Sequence, residues 1–184
     1  MSASVEVVSR SIAVGGATRR SVVERLWIRF PRAFASLIRV GQLLPPRSRL
    51  RGALISDALR RGIDALNRGD YAAAFALYHP ECELVADGLD TVGAGGTHGR
   101  EGRIQFQRRW MADWSEFQFL PEEVIALGQD RGLVIGRIRG TGRSSGAPFE
   151  SDWAALFTIA DGYVLSEHVF FDRGKALRAA GLAK

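Results

Sequence analysis

After Pro121 the chain settles into a period of two. EEVIALG, RGLVIGRIRGTG, APFESDWAALFTIADG and YVLSEHVFFD alternate apolar and polar positions, and Gln129-Asp130, Gly142 to Gly146 and Asp161-Gly162 punctuate them. Such alternation between turn signals predicts four strands joined by hairpins. The stretch before it reads differently. ALISDALRRGIDALN carries Leu54, Ala58, Leu59, Ile63 and Leu66 on one helical stripe, Gly69 stops it, and Asp70 caps a short second helix over Tyr71 to Tyr78. Pro80 ends that helix, CELVAD (82–87) is a strand, and residues 99–114 form a third helix after the glycine-rich loop GLDTVGAGGTHG. Helices gathered on one side of a mostly antiparallel sheet make an α+β domain. If the long strands curl, the sheet wraps around the helices and leaves a cavity at its wide end.

Composition removes several function classes. Cys82 is the only cysteine and the three histidines (His79, His98, His168) sit at no ligand spacing, so neither a disulfide framework nor a metal centre is expected. The glycine-rich loop lacks a following Lys-Ser/Thr, so it is expected as a rim over the pocket mouth rather than a phosphate loop. No cofactor is called for. No apolar stretch approaches the ~18 residues that span a bilayer, and no apolar run of ~7 marks a secretory signal, so a cytoplasmic location is expected.

The charge is divided. Residues 1–56 hold ten arginines against Glu6 and Glu24, which gives +8, while residues 57–184 hold fifteen basic and eighteen acidic residues, which gives −3. A basic extension (1–51) therefore precedes a mildly acidic domain (52–184) that is not expected to bind nucleic acid. Between Arg19 and Leu44, Val22, Leu26, Trp27, Phe30, Phe34, Leu37 and Ile38 recur every three or four positions, opposite Arg25, Arg29, Arg32 and Arg39. This predicts an amphipathic helix bent at Pro31 and ending near Gly41 and Pro45-Pro46, where the chain is expected to be separable. Its role stays open among a membrane-surface or partner-binding helix, a helix packed on the domain, a targeting segment, and an over-extended translation start.

Within SEHVFF, Glu167 and Val169 share one face of the last strand and His168 and Phe170 the other. The odd face is apolar apart from Glu167, so that carboxyl is expected on the concave side, where desolvation disfavours its charge and suits it to proton transfer. The alternatives are a frayed or dimer-exposed edge, or a pair with an arginine. His168 then faces outward, where two copies are expected to pair through the sheet.

RRGIDALNRGDYAAAFALYHPECEL, HGREGRIQFQRRWMADW and the closing DGYVLSEHVFFDRGKAL resemble, in order and spacing, the SnoaL-like branch of the nuclear transport factor 2-like superfamily over roughly 55–184. SVEVVSR near Val5 faintly echoes how such domains open. The resemblance implies a cone-shaped α+β barrel with a pocket. It does not imply one reaction, because the superfamily includes polyketide cyclases, ketosteroid isomerases, limonene epoxide hydrolases, dehydratases and members that only bind or dimerise.

Further candidates follow from it. The polyketide cyclases carry a catalytic aspartate on the closing strand, at a position that falls on Val169 here, one pleat beyond Glu167. Asp87 lies near where ketosteroid isomerases place their general base, or is a turn residue before Gly88. Arg137, Arg139 and Asp152 suggest the arginine-carboxylate array of limonene epoxide hydrolases, or a cross-strand salt bridge. Phe75, Tyr78, Phe106, Trp110, Trp114 and Trp153 are expected to line a cavity for a hydrophobic ring compound. Two functions remain: a cofactor-independent isomerase, cyclase or epoxide-hydrolase-like enzyme, or a non-catalytic ligand-binding or dimerisation module.

Overall fold

The computed structural model describes residues 7–11, 18–45, 47–87 and 96–183. Chain order runs β1 (Val7–Ser11), α1 (Val22–Arg29), α2 (Pro31–Gln42), α3 (Arg49–Asn67), α4 (Tyr71–Ala74), β2 (Tyr78–Ala86), β3 (Thr97–His98), α5 (Arg100–Ala112), β4 (Trp114–Leu127), β5 (Arg131–Gly142), β6 (Pro148–Ala160), β7 (Tyr163–Phe170) and α6 (Arg173–Ala180). The strands form one mixed sheet in the order β1-β4-β5-β6-β7-β2-β3, antiparallel except for the parallel pair β2–β7. This is the expected α+β cone. Most of the rim loop, residues 88–95, lies outside the described residues, as does the start of SVEVVSR.

Two local features depart from the sequence reading. β4 begins at Trp114, well before Pro121, because the missing N–H of Pro121 is absorbed in a register shift between Pro121 and Glu123. Gly136 sits opposite that shift, and a Cβ there would collide with the Leu120 carbonyl oxygen. The second helix covers only Tyr71–Ala74, and Tyr78 already opens β2. The caps behave as expected: Gly69 has φ 75°, and Asp70 accepts from the Ala73 N–H. The Asn67 amide clamps the end of α3 to β4 by exchanging two hydrogen bonds with the Phe119 backbone, at 3.0 and 2.8 Å.

The sheet carries a core on each face. Inside the cone, α3 and α5, the latter through Phe106, pack over Phe119, Val134, Trp153 and Val169. Outside, Ala176 and Ala180 of α6 cover Leu133, Ala154 and Phe170.

The extension is docked on this frame. Phe30 both ends α1 and precedes α2, with Pro31 in the first turn of α2, so the expected bend is a break between two helices. α3 runs continuously through the boundary expected at 51/52. Arg51 is only 2% exposed and donates to the carbonyls of Leu44, Gly128 and Gln129, which ties the helix to the β4–β5 turn. α2 lies so close to the β6–β7 turn that a Cβ on Gly162 would meet the Ala35 backbone, and φ there is +80°. Glu24, also buried, accepts from Arg68 at 2.6 Å, and Arg20 pairs with Asp70.

These latches titrate. Desolvation acts to raise the Glu24 carboxyl, but hydrogen bonds from Arg68 and Ser21 outweigh it and its pKa is lowered. Asp70 is lowered chiefly by its hydrogen bond from Arg20. A carboxyl depressed on folding adds stability above its unfolded value, about 4, and loses it as pH falls through the lower folded value. Acidification below about pH 4 should therefore loosen the extension before the sheet melts. Trp27 fluorescence, taken as the difference between the native chain and Trp27→Phe, should shift red ahead of the far-UV signal. Coincident transitions would mean that these pairs do not hold the extension separately.

Candidate functional site

The polar centre of the cone is assembled from three elements. β7 carries Glu167 inward, 4% exposed, while His168 points to the other face. The alternation is interrupted earlier in the strand: a register shift between Thr158 and Ile159 on β6 leaves Leu165 exposed and turns Val164 into the cavity. α5 supplies Arg103, whose Nε–H donates to Glu167 Oε2 at 2.7 Å and whose Nη2 donates to Oε1 at 3.3 Å. The start of β2 supplies Tyr78, whose hydroxyl donates to Glu167 Oε2 at 3.1 Å. Gln107, one turn along α5, accepts from Arg103 Nη1 at 2.8 Å, and the guanidinium lies 4.4 Å from the Phe75 ring centre.

The electrostatics follow from this enclosure. Desolvation, the largest single influence, lowers the Arg103 pKa, but the Glu167 charge, the Tyr78 phenol and the hydrogen bond to Glu167 together outweigh it, and the net displacement is upward. Burial, then the adjacent carboxylate, holds the Tyr78 phenol well above its ordinary value near 10, so Tyr78 is a neutral donor. A forked guanidinium supplies what an isolated buried carboxylate lacks, a fixed counter-charge. Glu167 is thus the arginine-paired alternative of the sequence reading, placed inside the cone.

A cavity of about 140 Å³ opens on one side of this cluster. Its walls include Ile55, Leu59, Val134, Trp153 and Phe157 from the domain, with Trp27 and Ile38 from the extension. Among the described residues of its lining, Glu167 is the only carboxylate. A smaller cavity of about 30 Å³, on the α5 side, meets the same carboxylate and is bounded by Gln107, Trp110 and Phe171. Two buried donors that face no hydrogen-bond partner among the described residues, Trp27 Nε1 and Gln107 Nε2, belong to residues of these walls.

The sequence profile of the SnoaL-like domain matches residues 59–167, more than half of the chain. The chain belongs to the SnoaL-like family. Solved structures share the fold of this SnoaL-like domain. A nuclear transport factor 2-like protein of unknown function from Burkholderia pseudomallei is 24% identical over 66% of this chain and 93% of its own, with a TM-score of 0.58. TerC, crystallised with polyporic acid, is 22% identical over 68% and 96%, with a TM-score of 0.57. A hypothetical protein with a ketosteroid isomerase-like fold from Catenulispora acidiphila, in complex with trimethylamine, is 17% identical over 68% and 93%, with a TM-score of 0.55. No curated protein matches.

The SnoaL-like fold distributes the other expected site residues unevenly. Tyr78 and Trp153 line the larger cavity, Trp153 also the smaller one, and Phe106 and Trp110 the smaller. Phe75 is buried behind Arg103, and Trp114 packs among Trp110, Phe117 and Phe149, so neither forms a cavity wall. Asp87 leaves the cavity altogether and sits 2.8 Å from His168 Nε2 on the outer face. Asp152 is exposed opposite Arg137, and Arg139 contacts Gln118. The arginine-carboxylate array is therefore a surface ladder in which Arg137 pairs with Glu122 and Glu150, because even-numbered inward residues such as Ile138 leave the odd ones outside.

Arg103 and Gln107 were not singled out in the sequence. Their signal was positional: 103, 106, 107 and 110 share one helical stripe, so two polar side chains interrupt a face that also holds Phe106 and Trp110. In GREGRIQFQRRW, Arg103 reads instead as one of four arginines in a basic helix.

Proposed function

We propose that this SnoaL-like domain binds a small hydrophobic ring compound in the cavity closed by its own N-terminal helices. The observation that carries this reading is the cavity itself: an apolar chamber whose single carboxylate is already occupied by Arg103 and Tyr78. Facing titratable groups free to exchange protons would favour catalysis, and a lone carboxylate paired with an arginine favours binding. Size narrows the ligand. An apolar cavity of about 150 Å³ accommodates benzene, so this one suits a single ring, and a polycyclic compound would require α1 and α2 to move.

A second reading, acid/base turnover, is supported by Glu167 Oε1, which carries only the longer bond from Arg103. A thermal-shift screen with single-ring phenols, ketones and monoterpenoids tests the first reading, since a ligand at 100 times its Kd stabilises by about 2.7 kcal/mol. Binding without chemical change supports the binding role. Conversion of a hit, lost by ~100-fold or more in Glu167→Gln, would establish turnover instead. No stabilisation by any single-ring compound would remove the ligand proposal.

Pairing of two copies through the outer sheet face would rest on His168 and the exposed Val85 beside it rather than on Phe170. Phe170, which motivated it, lies beneath α6, and the neighbouring strands carry the Arg137 ion pairs.

A further inference from the structure

We propose that the outward faces of α1, α2 and the first turns of α3 form a docking surface for an anionic lipid bilayer. Of the twelve large apolar side chains exposed among the described residues, nine lie between positions 22 and 54. Val22, Leu26 and Phe30 recur one turn apart along α1, Leu37 and Val40 follow on α2, and Leu50 continues the pattern on α3. Val22, Leu37 and Val40 are 70%, 56% and 61% exposed, although the same helices bury Trp27 and Ala35 inward. A helix packed merely to cover the cavity would need only that inner stripe.

Charge decides the occupant. Arg19, Arg25, Arg29, Arg32 and Arg49 are exposed and make no ion pair among the described residues. Glu24 is the only acidic residue between positions 18 and 56, and it is engaged by Arg68. A second copy would bring two strongly basic faces together, which repel. A nucleic acid would satisfy the arginines but leave the leucines, valines and phenylalanine unused. An anionic bilayer accepts both, because short basic amphipathic helices lie in the interface with apolar side chains among the acyl chains and arginines at the head groups. Insertion would be in-plane, since no helix of the described residues is long and apolar enough to cross a membrane. Trp27 and Ile38 reach the cavity from the inner sides of these helices, so docking would bring the cavity's cap to the lipid. That last consequence depends on the ligand-binding reading, and the assay below does not.

The test is co-sedimentation of the full chain with vesicles of phosphatidylglycerol and phosphatidylcholine in equal parts, against phosphatidylcholine alone. Partition should favour the anionic vesicles by ~10-fold or more and fall as salt is raised. Leu37→Glu with Val40→Glu should weaken that binding by ~10-fold, as should Arg25→Glu with Arg29→Glu and Arg32→Glu. All five positions are exposed, and unchanged thermal melts would show that the fold is kept. Absence of binding to anionic vesicles at low salt would overturn the proposal. So would full binding by the Leu37/Val40 variant, which would mean surface adsorption without insertion. A stable dimer in light scattering that the same variant dissolves would assign the surface to a second copy.

Discussion

Arg103→Leu should destabilise the protein by about 3–5 kcal/mol, because it leaves the Glu167 carboxylate buried with only the Tyr78 hydroxyl for company. For a chain of this length each kcal/mol moves the melting temperature by about 2–4 °C, so a fall of about 10 °C is expected. The partner change is informative in combination. A buried ion pair roughly breaks even against well-packed apolar groups, so Arg103→Leu with Glu167→Leu should recover most of the loss. Calorimetric melts of the two single variants and the double variant give the coupling directly. A single-variant cost below ~1 kcal/mol would place the pair in solvent rather than inside the cone.

The second large effect concerns the extension. A chain beginning at Ser48 should melt about 10 °C or more below the full chain, because removing a buried tryptophan alone typically costs about 3–5 kcal/mol. Trp27, Ala35 and the Glu24–Arg68 pair would all go with it, and the cavity would lose part of its wall. Gly162→Val asks the same question in the intact chain, since a side chain there collides with α2 and the φ of +80° disfavours it. Both variants should lose ligand stabilisation together. A truncated chain that melts like the full one would restore the separable tail that its composition suggested.

Most of the fold was legible because local rules and tertiary packing agree. Period-two alternation after Pro121, the Asp161-Gly162 turn and the Gly69-Asp70 break each have one favourable structural solution. The first half of β4 was not legible, because a proline in a strand pattern reads as a stop until a partner strand shows the bulge that accommodates it. The inward face of Glu167 followed from parity, but its partner did not: Arg103 lies 64 positions upstream, and only the packing of α5 inside the curled sheet brings them together. Leu165 shows the limit of parity itself, since one bulge exchanged its place with Val164. The docked extension was hidden for a different reason. Its net charge and Pro45-Pro46 pair suggested a separate segment, whereas its attachment rests on a few inward residues, Trp27, Glu24 and Arg51, within an otherwise exposed basic surface.

Anomalous diffraction from crystals grown with 4-iodophenol tests most directly whether the cavity is a ligand site. The iodine marks the ring, and a single ring matches a cavity of about 140 Å³. The expected result is one strong peak enclosed by Trp27, Trp153 and Phe157, beside Glu167, with the Arg103–Glu167 pair intact. A cavity without iodine, in crystals that bind the compound only on the outer surface, would contradict it.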